Sequence, residues 1–413
     1  MKKLFLTLIT LISFGSATTA FAQDFDVAAK HAIAVEATTG KILYEKDATQ
    51  PVEIASISKL LTVYLVYEAL EQGKITLSTP VEISDYPYQL TTNSEASNVP
   101  MEARNYTVQE LLEATLVSSA NSAAIALSEK IAGSEKDFVD MMKAKLLEWG
   151  IQDATLVNTT GLNNETLGNN IYPGSKKDDE NKLSAYDVAV VARNLILKYP
   201  QVLEITKKPS STFRGMTITS TNYMLEGMPA YRGGVDCLKT GTTDKAGASF
   251  VGTTVEKGMR IITVVLNADN QDTNPYARFT ATSALLDYIS SNFALQTIVK
   301  QGESYQDSKS PVLDGKQDTV TAVAKEDIKI VQRLGSRAQS SVTYTPDTTE
   351  HTAPLEAGTV VGHLTYEDKD LVGQGYITSD KPSFEMVSDK NVEKAFFLKV
   401  WWNRFVRFVN EKL

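Results

Sequence analysis

The sequence predicts a mixed α/β chain of the α+β kind: a domain of helices on an antiparallel sheet, a small all-β domain, and an amphipathic C-terminal helix. Three observations carry this. Apolar residues recur at helical spacing between early and late strand-like runs. After about residue 295, short alternating runs rich in Gly, Ser, Asp, Thr and Val take over. The final segment returns to a helical pattern with its aromatic residues on one side.

The chain opens with a targeting pattern. Lys2 and Lys3 precede the mostly apolar run Leu4 to Phe14, and Ala20-Phe21-Ala22 is an A-x-A cleavage site. The run is too short to span a bilayer, and Gly15 to Thr19 is small and polar. Residues 1–22 are therefore expected to be removed on export, leaving Gln23 as the first residue. His31 to Glu36 and Lys41 to Tyr44 read as a hairpin that turns at Thr38-Thr39-Gly40. A helix is expected to start near Ser56, with Leu60, Leu61, Tyr64, Leu65 and Leu70 as its apolar face and Gly73 as its stop. Further helices are expected over Val108 to Val117, Ser122 to Ile131, Phe138 to Trp149 and Ser184 to Leu197. The last begins with Ser184-Ala185-Tyr186-Asp187, a capping box in form. Strands then follow at Arg214 to Ser220, Val235 to Lys239, Ser249 to Val255 and Met259 to Asn267, and Pro275 to Phe293 is helical again. Helices set between early and late strands favour an antiparallel sheet. This makes residues 23–295 the first domain.

Residues 296–391 form the β-rich domain, with strands at Thr319 to Val323, Ile328 to Gln332, Val342 to Thr345 and Thr359 to Thr365. In residues 392–413, Phe397, Leu398, Trp401, Trp402, Phe405, Phe408 and Val409 share one helical face. Lys399, Asn403, Arg404, Arg407 and Asn410 share the other, with Phe396 and Val400 as exceptions. Such a helix suits a membrane interface and is too often interrupted by charge to span one. The alternative, a helix docked on the β domain, leaves so large an aromatic face without a core to fill.

Composition excludes several functions. The 413 residues carry a net charge of -9, which argues against a nucleic-acid partner. With Cys237 the one cysteine, an exported chain has no internal disulfide. His31, His351 and His363 are the only histidines, none beside a serine-elbow pattern. No zinc-ligand cluster, phosphate-binding loop or dinucleotide fingerprint is present.

Three short segments bear the chemistry: Ser56-Ile57-Ser58-Lys59, Ser119-Ala120-Asn121 and Lys239-Thr240-Gly241, reading S-x-x-K, S-x-N and K-T-G. Each is common alone; the ordered set points to acyl transfer through a serine. A serine hydroxyl needs a base within hydrogen-bond reach. Ser56 and Lys59, three apart, share a helix face, and the helix N-terminus favours developing negative charge. A buried lysine beside a second cation, Lys239, loses proton affinity and becomes that base. Ser119 and Asn121 fall at a break between helices, suited to proton relay and to holding a substrate amide. Gly241 on a strand edge admits close backbone approach. Lys239 and the hydroxyls of Thr240 and Thr242 suit a carboxylate. The N–H groups of Ser56 and Thr242 would form an oxyanion hole.

This ordered set resembles the low-molecular-mass penicillin-binding proteins that act as D-alanyl-D-alanine carboxypeptidases. The resemblance spans nearly the whole chain. It extends to Gly234-Val235-Asp236 before the third motif, with Cys237 where Gly is common, to Asn158 with Gly161-Leu162, and to Ala246-Gly247 and Arg260 to Leu266. It implies a penicillin-recognising, β-lactamase-like catalytic domain with Ser56 acylated and Lys59 as base. Ser119 and Asn121 would serve proton transfer and substrate holding. Lys239, Thr240, Gly241 and Thr242 would bind substrate, and Arg278 sits where the family carries an arginine near the terminal carboxylate. It implies removal of the last D-alanine from peptidoglycan stem pentapeptides with no metal or organic cofactor needed, covalent capture of β-lactams, and a position on the outer face of the cytoplasmic membrane. Three alternatives share these features. A class A β-lactamase would use a deacylation loop that Glu165-Thr166-Leu167-Gly168-Asn169 resembles only with its Leu misplaced. A transpeptidase or endopeptidase would use the same scaffold. A non-catalytic envelope-binding protein would have a decayed site, yet every motif side chain is present.

Overall fold

The computed structural model describes residues 25–412 apart from 95, 102, 103, 237, 349, 379 and 380, with 410–412 as backbone alone. The expected targeting segment 1–22, the start at Gln23 and Cys237 lie outside the described residues.

The first domain is built on a five-stranded antiparallel sheet of β1 (Ala29–Glu36), β2 (Ile42–Lys46), β3 (Lys239–Gly241), β4 (Ser249–Glu256) and β5 (Met259–Ala268). Their order is β2-β1-β5-β4-β3. Side chains alternate across it. Ile33, Val35, Ile262 and Val264 face a large helical cluster, while Ala32, Ala34, Ile261 and Val265 face a second core. Burial on both faces explains why β5 is nearly all apolar.

The longer helices of this domain are α1 (Lys59–Glu71), α2 (Val108–Val117), α3 (Asn121–Ala132), α4 (Glu135–Glu148), α5 (Ala185–Lys198) and α6 (Ala277–Asn292), of which α5 and α6 pack on the sheet and α2 to α4 surround α1. Sequence and structure agree closely at α2 and α5, where capping boxes from Thr107 with Glu110 and from Ser184 with Asp187 fix the starts. The single apolar face expected for α1 is not what forms. Val63, Val66 and Tyr67 are as buried as Leu60 and Leu61, because α1 is the central helix with neighbours all round it. Arg214 to Ser220 does not join the main sheet; it belongs to a hairpin of Ser210–Phe213 with Met216–Thr219. The expected strand at Val235 to Lys239 reduces to one bridge at Val235, and the true strand starts at Lys239.

The chain runs from α6 straight into β6 (Phe293–Val299). The remaining strands are β7 (Ser304–Leu313), β8 (Thr319–Ala324), β9 (Ile328–Arg333), β10 (Ser341–Pro346), β11 (His351–Thr352), β12 (Val360–Glu367) and β13 (Ser383–Ser388). They form a six-stranded sheet ordered β10-β12-β13-β8-β7-β11 and a separate β6-β9 pair. Four of these, β6, β7, β11 and β13, are not foreseen by the sequence pattern.

Helix α7 (Phe397–Lys412) turns its basic side to this domain. Arg404 and Arg407 reach the buried carboxylate of Asp314, and Lys399 pairs with Asp318. Val400, an exception on the helical wheel, is 8% exposed, whereas Trp401 is 62% exposed. The aromatic face points outward. Among the described residues no helix is long and apolar enough to cross a membrane.

The β domain reaches back to the hairpin of the first domain. Ile42 N–H donates to the Gly375 carbonyl (2.8 Å) and Ile377 N–H to that of Gly40 (2.9 Å). Between them Lys41 pairs with Asp368 at 2.6 Å, the side chains 2% and 1% exposed, and also donates to the Val331 carbonyl. Removing one partner leaves an uncompensated buried charge. Lys41→Ala is therefore expected to destabilise the protein by about 3–5 kcal/mol, read as a lowered Tm.

Candidate active site

The candidate nucleophile sits on a turn ahead of the helix. Ala55–Ser58 is a 3₁₀ turn that passes into α1 at Lys59, so Ser56 lies one step outside the expected α-helix. Ala55 is left-handed (φ 48°), which costs a side-chain-bearing residue about 1–2 kcal/mol. Two glycines hold this turn by close approach. A Cβ on Gly161 would stand 1.7 Å from the Ala55 carbonyl oxygen, and one on Gly241 would stand 2.6 Å from that of Ile54. Neither position has room for a side chain. The turn bearing Ser56 is thus clamped between the third motif and the loop over residues 158–161.

Lys59 is fully buried. Its Nζ lies 2.6 Å from Asn121 Oδ1, 2.8 Å from the Thr160 carbonyl oxygen and 2.8 Å from Ser56 Oγ. The first two are carbonyl oxygens, which only accept. Asn121 is oriented by its own Nδ2, which donates to the Ser97 carbonyl at 2.9 Å. A neutral amine has two N–H bonds and one lone pair. With both N–H bonds given to the carbonyls, the lone pair is left facing the Ser56 hydroxyl. Burial holds the Lys59 pKa well below the ordinary lysine range, and Lys239 depresses it further, against a smaller opposing pull from Glu135.

Ser119 occupies the break between α2 and α3 in a left-handed conformation (φ 61°). Its Oγ accepts from Lys239 Nζ at 2.8 Å, and Lys239 also donates to the Thr240 carbonyl. Lys239, Thr240 and Gly241 form β3, which pairs with β4 and lies at the sheet edge. An edge strand offers its second row of backbone groups to an extended peptide. Thr240 Oγ1 lies 2.6 Å from Thr221 Oγ1. Arg278, at the start of α6, donates to the carbonyls of Gly241 and Ser249 and to Thr242 Oγ1 (2.7 Å). Burial lowers its pKa to about 10.

The fold thus gathers Ser56, Lys59, Ser119, Asn121 and Lys239 around one point, with Thr240, Gly241, Thr242 and Arg278 along the adjoining strand end. Asn121 makes a contact the sequence did not foresee: its amide oxygen accepts from Lys59. Sequence reasoning missed the Thr160 carbonyl and Ser97, because a backbone carbonyl leaves no residue-type signal. Asn158 shapes the Thr160 position, accepting at Oδ1 from the N–H groups of Thr160 (3.1 Å) and Gly161 (2.6 Å). Glu165, the residue that suggested a β-lactamase deacylation loop, is exposed on a 3₁₀ turn. Among the described residues no group of three or more His, Cys, Asp or Glu is placed to hold a metal ion.

Comparison with known proteins gives a consistent picture. Residues 17–270 match the D-alanyl-D-alanine carboxypeptidase family model, and residues 293–394 match that of the C-terminal domain of penicillin-binding protein 5. The chain is 29% identical to D-alanyl-D-alanine carboxypeptidase DacF of Bacillus subtilis over 96% of each chain. It is 27% identical to DacC of Escherichia coli over 96% of this chain and 92% of that one. Among solved structures, it resembles a peptidoglycan synthesis regulatory factor (PBP3) from Streptococcus pneumoniae. The TM-score is 0.88 and the identity 83%, over 89% of this chain and all of that one.

Two predictions follow from the geometry. Acylation of Ser56 by a fluorescent penicillin should slow as pH falls through the depressed Lys59 pKa, because the protonated amine has no lone pair for the serine proton. A stopped-flow profile that stays flat from mildly acid to alkaline pH would count against Lys59 as base. Gly161→Ala should push the Ser56 turn aside and slow acylation about a hundredfold, checked by the same assay alongside the melting temperature.

Proposed function

The chain belongs to the D-alanyl-D-alanine carboxypeptidase family, and from that premise we propose how its own residues carry out the reaction. The protein is a serine-type D-Ala-D-Ala carboxypeptidase, a hydrolase acting on peptidoglycan and open to β-lactams. The single observation that supports the residue assignment is the buried Lys59 amine, with two carbonyl acceptors and Ser56 as its third neighbour.

In this reading neutral Lys59 takes the Ser56 proton as Oγ attacks the carbonyl of the D-Ala–D-Ala bond. The N–H groups of Ser56 and Thr242 stabilise the oxyanion. Ser119, linked to Lys239, passes a proton to the departing amine, and D-alanine leaves. Water then hydrolyses the acyl-enzyme. Lys239, Thr240, Thr242 and Arg278 hold the terminal carboxylate, while the edge of β3 with its bare Gly241 takes the substrate backbone. A β-lactam would acylate Ser56 in the same way.

The family acts on peptidoglycan outside the cytoplasm, in keeping with an exported protein. We place it on the outer face of the cytoplasmic membrane, peripherally bound through α7. Support comes from the outward aromatic face of Phe397, Leu398, Trp401, Trp402, Phe405 and Phe408. The β-rich domain would be the spacer.

The test of the activity is free D-alanine released from a pentapeptide ending in D-Ala-D-Ala. The wild type should release it and Ser56→Ala should not; equal release by both would remove Ser56 from the reaction. For the membrane, truncation belongs after Ala395, because Val392 and Ala395 are bonded to Leu355 and Asp314 in the β domain. The truncated protein should move to the soluble fraction, and continued sedimentation with membranes would exclude α7 as the anchor.

A further inference from the structure

A second buried ionisable group lies close to Lys59 and takes no part in the reaction as described. Glu135 is the first residue of α4 and is buried. Its Oε1 accepts from the N–H and the hydroxyl of Thr159, at 2.9 and 2.7 Å, and its Oε2 accepts from the Tyr86 hydroxyl at 2.9 Å. Thr159 is the residue before Thr160, whose carbonyl holds Lys59. The Thr159 carbonyl is itself bound, accepting from Thr62 Oγ1 at 2.7 Å. Thr62 and Lys59 stand one turn apart on α1. Two successive carbonyls of this loop are therefore tied to two positions one turn apart on α1. Asn158 pins the loop from within, and Glu135 pins Thr159 from behind.

The constraints converge on one peptide unit. The Thr160 carbonyl has to stay where it accepts one Lys59 N–H, since a rotated carbonyl frees that N–H and lets the lysine lone pair turn from Ser56. Thr62 and Lys59 pull on the carbonyl side of the loop. Glu135 holds the Thr159 N–H and hydroxyl, so the loop cannot swing as a whole. We infer that Glu135 is a positioning residue for acylation: by clamping Thr159 it fixes the Thr160 carbonyl and thereby aims the Lys59 lone pair at Ser56.

The role depends on reach, and this separates it from a general structural or purely electrostatic one. Glu135→Asp keeps the charge at the α4 N-terminus but is one methylene too short to hold Thr159. Glu135→Gln keeps an acceptor oxygen at the same reach and loses the charge. Both are made in the mature full chain, with Glu135→Ala beside them. The readout is the acylation rate constant by fluorescent penicillin, separated from the affinity of the preceding non-covalent complex, with D-alanine release as a second measure. Glu135→Asp should lose about a hundredfold in the rate constant, the cost of an ångström-scale misplacement, with affinity little changed. Glu135→Gln should stay within about threefold of wild type, since it preserves the geometry that effect depends on. The reverse order, Gln impaired and Asp active, would overturn the inference, as would wild-type rates in both. If Glu135→Ala does not fold, the comparison of Asp with Gln still decides.

The inference rests on the reading of Ser56 as nucleophile, and Ser56→Ala in the same assay tests that reading by itself. Labelling of Ser56→Ala would remove the nucleophile assignment. An unlabelled Ser56→Ala together with an unimpaired Glu135→Asp would remove only the positioning role of Glu135.

Discussion

A lysine amine buried with no carboxylate at hydrogen-bond distance among the described residues is the constraint on which the rest of the site depends. An amine in a dry interior is costly when charged, and unsatisfied N–H bonds cost free energy even when it is neutral. The fold answers both at once. It supplies two fixed carbonyl acceptors, Asn121 Oδ1 and the Thr160 carbonyl, and leaves the remaining position to Ser56. Each acceptor has to be held. Asn121 is held by Ser97, Thr160 by the turn that Asn158 builds, and the helix that carries Lys59 by neighbours on every side. The left-handed Ala55 and Ser119 fit the same logic: strained backbone at two points aims Ser56 and Ser119 into the cluster, and the close packing around them stabilises what they cost.

The sheet contributes position. Because both faces of the five-stranded sheet are covered, its central strands serve only as core, and the one strand bearing chemistry is at an edge. β3 is three residues long, and it meets the Ser56 turn through a glycine too close to tolerate a Cβ. Arg278 reaches across from α6 to the carbonyls of Gly241 and Ser249. It thereby ties the second core to the strand end as well as placing positive charge there.

The second domain is joined to the first through backbone pairing around Gly40 and Ile42 and through the buried Lys41–Asp368 pair. A pair so enclosed is worth little as net attraction, but it disfavours separation, because parting the domains would leave both charges poorly solvated. At the other end α7 docks by its basic residues on Asp314 and leaves its aromatic side uncovered. The alternative reading from sequence, a helix docked on the β domain, is the one the contacts match, and α7 docks with the face opposite the aromatic one.

The sequence by itself determined a good deal. Period located α2, and period with the Ser184–Asp187 capping box located α5, within a residue or so, since such local signals need no tertiary context. Ordered motifs named the side chains that meet at the site, because the hydroxyls, amines and amide that this chemistry requires are written in residue types. Tertiary structure alone decided the rest. Burial of α1 on all sides erased the one-sided pattern expected of it. Strands β6 and β13 draw a partner from distant sequence, β9 and β8 respectively, beyond the reach of local alternation. The acceptor that directs Lys59 is the carbonyl of Thr160, a group every residue possesses. Its role comes from where Asn158, Gly161 and Glu135 place it, and such placement is a property of packed backbone that no residue letter encodes.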